Sequence, residues 1–358
     1  MRKVFVAILG FGAVLIVLLL GIFFYMSSTL KKNIQTSLNT HLNSIQENFP
    51  QLTYEPFVCK GIKEIWCQSP SLAWNDIATL KNVRFGVLKQ NDAIRLSLES
   101  DNVHLVSNSF LNVFLSAIAP SVDFSEIVLP NSLQCTLDSS LKKRTKIEES
   151  LHDTKQDSSK VSQENPTLYN TLMCRTNAKN LGYEFTINAQ EELASIGELH
   201  KLTDSLQLGE VLFDAMSAYQ EDANAFMRDT RVILEDIILN FTPNNLSQTI
   251  VQKIAARETL DEQEYQKYYT QLTKSTQAAK SFMVYMLLLG NPRIAYKDQL
   301  VSSFDGLANM LEGHNNGIIY HITPKVPTHS VSLQDLIEHT RDTLNPEHFT
   351  LIFKEVSK

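Results

Sequence analysis

Cysteine is scarce in this chain, four among 358 residues, and no two of them stand in a C-x-x-C or C-x2-4-C arrangement. A thioredoxin-like redox centre needs the first spacing and a zinc knuckle the second, so neither is called for. G-x-S-x-G, H-E-x-x-H and G-x-x-x-x-G-K are missing as well, and the only G-x-G falls inside an apolar run near the N-terminus. No nucleophile elbow, helical zinc pair or phosphate cradle is therefore announced, no cofactor is implied, and nothing marks the chain as an enzyme. Clustered basic charge is lacking too. The formal net charge is −7, and residues 191–240 place eleven Asp and Glu against Lys201, Arg228 and Arg231. A surface of that sign repels phosphate backbones, which excludes nucleic acid as a partner and reads as a solvated acidic face.

What the chain has in excess comes first. Residues 4–26 read VFVAILGFGAVLIVLLLGIFFYM, 23 residues with neither charge nor proline. At ~1.5 Å per residue a helix of that length spans ~35 Å, enough to cross a bilayer. A cleavable signal peptide has an apolar region of ~7 to 15 residues and a small-residue cleavage site, and YMSSTL offers none. The first cysteine is Cys59, too late for a lipid-modified one. The expectation is an uncleaved signal anchor, residues 1–30, with the N-terminus cytoplasmic. Arg2 and Lys3 before the span and Lys31 and Lys32 after it set that orientation only narrowly. The body would then lie outside the plasma membrane, in the periplasm of a bacterium.

All four cysteines, Cys59, Cys67, Cys135 and Cys174, follow that span and are even in number, as an oxidising compartment favours. Three pairings are open. YEPFVCKG with EIWCQSP, and SLQCTLDSS with TLMCRTNAK, each read as two strand-like pieces carrying one cysteine apiece. That parallel favours Cys59 with Cys67 and Cys135 with Cys174.

The remaining pattern predicts an α+β fold in four further parts. Immediately after the span, Leu30, Ile34, Leu38, Leu42, Ile45 and Phe49 recur at helical steps up to Pro50, which makes residues 31–50 a helical stalk. Residues 51–190 change to period two: LKNVRFGVL and AIRLSLES read as a hairpin of half-buried antiparallel strands joined by KQNDA. SFLNVFLSAIAP reads as a short helix, and EIVLPNSLQCTL and GYEFTINA as strands. Residues 140–166 are almost wholly polar and are expected to form a mobile insertion between two hairpin strands. Residues 191–313 read as helical: Leu208, Leu212, Ala215, Tyr219, Phe226, Ile233 and Ile237 share a helix face, and TLDE at 259–262 reads as a capping box opening a long helix. Residues 314–358 read as a terminal β-α-β unit, its helix capped at Ser332.

Two clusters carry candidate function. The long helix ends in SFMVYMLLLG, residues 281–290, which is too short to span a bilayer. The leading reading is a central buried helix; the alternative is a membrane-facing or ligand-lining surface at Phe282, Met283, Met286 and Leu287. Five of nine histidines, His314, His321, His329, His339 and His348, fall within 35 residues, with Asp335, Glu338 and Asp342 nearby. None forms the i, i+4 pair of a helical metal site, so exposed or hydrogen-bonded singletons are the plainer reading. Asn240 and Asn245 head glycosylation sequons, which matter only in a eukaryotic secretory route.

The short N-terminal tip, the apolar span and the meander LKNVRFGVL followed by IRLSLESDNVHLV together resemble the start of AsmA-like bacterial envelope proteins, over about 100 residues. The resemblance implies an inner-membrane anchor presenting a curved β-sheet whose apolar inner face holds lipid. The chain departs from that group in its shortness and its large helical half, and no functional residue carries over. Function is accordingly expected to be non-enzymatic: a membrane-anchored envelope protein binding a hydrophobic ligand or a partner protein. An envelope hydrolase using the C-terminal histidines and a structural or assembly subunit are the alternatives.

Overall fold

Alternating apolar and polar residues dictate most of what forms. The structure, a computed structural model, describes residues 35–60, 65–74, 78–90, 93–105, 115–142, 167–192, 228, 231–290, 295–339 and 343–358, except 37, 41, 44, 45, 48, 49 and 121. Thirteen strands make one antiparallel sheet: β1 (Leu52–Tyr54), β2 (Val58–Lys60), β3 (Ile65–Trp74), β4 (Ala78–Gln90), β5 (Ala93–Ser100), β6 (Asn102–Leu105), β7 (Ser132–Lys142), β8 (Thr167–Asn177), β9 (Leu181–Glu192), β10 (Arg231–Pro243), β11 (Gly317–Pro324), β12 (Ser330–Ser332) and β13 (Phe349–Val356). The path through the sheet is β1-β3-β4-β5-β7-β8-β9-β10-β11-β13, with β2 on β3, β6 on β4 and β12 on β10. Sequential neighbours pair almost throughout, as hairpin-joined strands do. Among the described residues helices α1 (Ser125–Val128), α2 (Leu246–Ala255), α3 (Glu262–Gly290), α4 (Lys297–Leu311) and α5 (Leu333–Glu338) accompany it.

The register sorts side chains onto two unlike faces. One row runs Cys59, Cys67, Phe85, Leu98, Cys135, Cys174, Phe185, Leu239, Tyr320 and Phe353, each directly opposite the next. The adjacent row runs Arg84, Glu99, Gln134, Arg175, Glu184 and Asn240. Because side chains alternate across a strand, the first row lies on an apolar face and the second on a solvated one. On the solvated face Arg95 grips Asp138 at 2.7 Å and Arg175 grips Glu184 at 2.5 Å. Both disulfides are cross-strand ties on the apolar face, Cys59 to Cys67 and Cys135 to Cys174, which is the pairing expected from the sequence.

Local breaks have identifiable causes. Pro70 in β3 stands across from Asn82 in β4, whose φ is 53°. There the buried positions change from Ile65, Cys67 and Ser69 to Leu72 in β3, and from Leu80 to Val83 in β4. The Ser69 hydroxyl donates to the carbonyls of Glu55 and Ser71, and that of Ser100 to those of Lys81 and Asn102, so the polar backbone exposed by the bends is satisfied. Gly86 lets the Trp66 ring cross its strand, since a Cβ there would meet that ring at 2.7 Å.

Two clusters form the core. The first joins the sheet's apolar face, from Leu52 and Phe57 through Leu234 and Phe349, to Leu38 and Leu42 of the N-terminal helical residues. Asn39 holds that helix to the sheet, its side chain accepting from Phe57 N at 2.8 Å and donating to Phe57 O at 3.0 Å. The second cluster gathers α1, α2, α3 and α4 over β9, β11 and their neighbours, through Phe124, Ile127, Leu246, Ile250, Leu272, Phe304, Leu307, Met310 and Ile318.

Several expectations need correction. Residues 231–243 are strand β10, not helix, so Ile233 and Ile237 do not continue the helical stripe. RVILEDIILNF is rich in aliphatics without a strict alternation, and such a run reads like a buried helix. A register shift between Leu234 and Asp236 adds to the ambiguity by returning Ile237 to the core. The EIV expected as strand is the single-turn helix α1, with Ile127 and Val128 buried. The long helix is capped by Asp261, whose carboxylate accepts from Glu264 N at 2.8 Å, two residues beyond the expected Thr259. The expected strand–helix–strand order of the terminal unit is present as β11, α5 and β13, with β12 added before the helix and β11 and β13 paired antiparallel as a hairpin. Residues 140–142 complete β7, while 143–166 lie outside the described residues, as do Leu208, Leu212, Ala215, Tyr219 and Phe226. Ser332 caps α5 as expected, accepting from Asp335 N at 3.0 Å.

Candidate interaction surface

Helix α3 shows how one periodic element acquires two outward characters. Its inward face carries Tyr265, Tyr269, Leu272, Thr276, Ala279, Met283 and Leu287, at steps of three and four, packed on or within the second core cluster. The outward face begins polar, with Gln263, Gln266, Lys267, Thr270, Gln271 and Lys274 all exposed. It then turns apolar without leaving the helix. Phe282, Tyr285, Met286 and Leu289 are 56%, 58%, 50% and 62% exposed, spaced i, i+3, i+4, i+7. Lys280 is held to Asp305 of α4 at 2.8 Å, leaving no unpaired charge among residues 280–290.

The leading expectation for SFMVYMLLLG, a central buried helix, is thus corrected. Helical phase divides the segment: Met283 and Leu287 pack inward, whereas Phe282 and Met286 project into solvent. Tyr285 and Leu289 belong to the same exposed stripe and were not singled out. Counting in threes and fours from Leu272 and Ala279 marks both as outward-facing, so the signal was present in the phase of the helix.

The histidines disperse. Nδ1 of His314 lies 3.5 Å from the buried Glu312 carboxylate, and its Nε2 is 3.1 Å from the Tyr269 hydroxyl. Gln277 donates to the same carboxylate at 3.1 Å. His321 lies on β11, its Nε2 3.8 Å from the Asp236 carboxylate without a hydrogen bond, while Asn188 donates to that carboxylate at 2.8 Å. His329 and His348 stack with centroids 4.4 Å apart, and burial together with the neighbouring imidazole lowers the His329 pKa. His339 closes α5. Among the described residues no three His, Cys, Asp or Glu gather in a way that holds a metal ion, and Asp342 lies outside them.

Buried tyrosines are structural in this setting. The Tyr183 hydroxyl donates to the Val128 carbonyl, and burial raises its pKa. The Tyr296 hydroxyl donates to the carbonyls of Leu344 and Phe349, both at 3.1 Å, which fixes the start of α4 beside the start of β13.

Among the described residues no helix is long and apolar enough to cross a membrane; the apolar run at 4–26 lies outside them. No protein-family model matches the chain, and no curated protein matches it.

Proposed function

We propose that the chain is a non-enzymatic envelope protein, anchored by residues 4–26, whose extracytoplasmic body binds an apolar partner through the exposed end of α3. The observation that carries this reading is the change in α3's outward face from Gln and Lys to Phe282, Tyr285, Met286 and Leu289. Contiguous exposed apolar surface of that kind marks an interaction site rather than scattered surface variation. Two cross-strand disulfides support an oxidising compartment for the body.

Magnitude favours a tethered protein. Fully burying a large apolar side chain returns about 1.5–3 kcal/mol, so covering four that are roughly half exposed returns about 4 kcal/mol before the cost of association. Alone, that corresponds to an affinity no tighter than millimolar. A body already held in place meets its partner at an effective concentration of about the same size, which makes so small a patch useful.

The test is recovery of full-length protein from native membranes into lipid-preserving discs, with co-isolated lipids and proteins identified. Wild type is expected to retain an apolar species that Phe282→Ser/Leu289→Ser loses while circular dichroism is unchanged. Identical profiles for both would refute the reading.

A further inference from the structure

The structure also orients this surface. Follow one edge of the sheet through its strand ends: Lys60 faces Trp66, Gln90 faces Ala93, Lys142 faces Thr167, Glu192 faces Arg231, Arg231 faces Ser332, and Pro324 faces Phe349. The N-terminal residues leave the body at this edge. Gln35 Oε1 accepts from Cys59 N at 3.0 Å, Asn39 meets Phe57, and Asn43 accepts from the Tyr54 hydroxyl at 2.7 Å, so the chain read backwards from Asn43 climbs toward Lys60. Eight residues separate Met26 from Gln35. Even fully extended they reach only ~30 Å, so an inserted leader keeps this edge close to the bilayer.

The end of α3 rises to the same edge. Tyr269 lies beside Glu312 and His314, near the opposite edge where Gly317 pairs with Val356. Lys280 is level with Asp305, and Tyr296, after the helix ends, reaches Phe349. The polar-to-apolar boundary therefore runs across the α3 axis, between Lys274 and Phe282, as a planar water–lipid boundary would cut it. A second observation agrees. Of the seven large apolar side chains exposed among the described residues, five lie toward this edge: Phe282, Tyr285, Met286 and Leu289 on α3 and Val326 just after β11. Val58 at the start of β2 and Ile352 in the middle of β13 do not.

We infer that the apolar partner is the bilayer itself: Phe282, Tyr285, Met286 and Leu289, with Val326 at the same edge of the sheet, dip into the interface of the membrane that holds the leader. The body then stands on two feet, one spanning and one peripheral. Aromatic and aliphatic side chains on an uncharged helix end suit the interfacial zone, and with no unpaired charge in residues 280–290 the contact needs no anionic lipid. This inference rests on the reading of residues 4–26 as an anchor.

The four native cysteines are paired, so a spin label on one introduced cysteine is unique. Full-length protein in phosphatidylcholine vesicles would carry the label at Leu289→Cys or Val326→Cys, with Lys274→Cys as the aqueous reference and Val17→Cys as the leader reference. Labels at 289 and 326 are expected to lose collisions with a water-soluble nickel chelate and gain collisions with oxygen relative to 274, unchanged by added salt. Equal nickel access at 289, 326 and 274 with a protected 17 would overturn the inference and leave the anchor standing. Nickel access at 17 as well would overturn both. Labels at 289 shielded from both reagents and broadened by one another would place a second copy there, which also overturns it.

Discussion

Removing each disulfide separately gives a quantitative test of how the sheet is tied. The Cys59–Cys67 bridge closes a separation of 8 residues and Cys135–Cys174 one of 39. In the chain-entropy account a cross-link restricts the unfolded chain more as its loop lengthens, giving about 2.5 kcal/mol for the short loop and about 4 kcal/mol for the long one. The difference is 1.5RT times the logarithm of the length ratio, about 1.4 kcal/mol. Replacing each pair by two alanines keeps the packing loss comparable, because Cys59, Cys67 and Cys135 are buried and Cys174 nearly so. Urea unfolding of full-length protein in mild detergent is the assay. With a slope of about 3 kcal/mol per M, the midpoint should fall by about 0.8 M for Cys59→Ala/Cys67→Ala and about 1.3 M for Cys135→Ala/Cys174→Ala. Equal shifts, or the larger shift at the short loop, would refute the reasoning.

Other expectations are more local. Gly317 has φ 148°, and a Cβ there would meet the Phe241 carbonyl oxygen at 2.3 Å, so Gly317→Ala should lower stability by roughly 2–4 kcal/mol in the same assay. Leu42 is completely buried between the N-terminal helix and the sheet; Leu42→Ala should cost about 2–5 kcal/mol, and a loss under ~1 kcal/mol would mean that helix is not docked. His329 has its pKa lowered by burial and by His348, so the folded state binds fewer protons than the unfolded one as pH drops below ~6.5. Stability should therefore fall on acidification through that window, and His329→Gln should flatten this part of the midpoint-against-pH profile.

Which elements the sequence disclosed follows from how regularly their apolar residues alternate. β4 and β5 are covered on one side and solvated on the other, so Val83, Phe85, Leu96 and Leu98 alternate with Arg84, Arg95 and Glu99 and their strands are plain. β10 shifts register between Leu234 and Asp236, so Leu234 and Ile237, three apart, share the covered face and its aliphatics carry no period of two to separate strand from helix. The single turn of α1 is too short for any period. The disulfide partners were readable because matched strand pieces carry one cysteine each. The stripe on α3 was half readable: its composition gave Phe282 and Met286, but treating the segment as one apolar block hid the phase that sends Met283 and Leu287 inward and Tyr285 and Leu289 out. Its position at the edge from which the leader departs depends on pairings between residues far apart in sequence, such as Arg231 with Ser332, and no local pattern encodes those.

The compartment underlies the whole functional reading, and thiol state in the cell reports on it directly. Cells quenched in acid and alkylated before lysis, followed by non-reducing peptide mapping of the full-length protein, give that state. The account predicts two linked peptide pairs, Cys59 with Cys67 and Cys135 with Cys174, and no alkylated cysteine until a reductant is added. Four cysteines alkylated at the outset would place the body in a reducing space and contradict it.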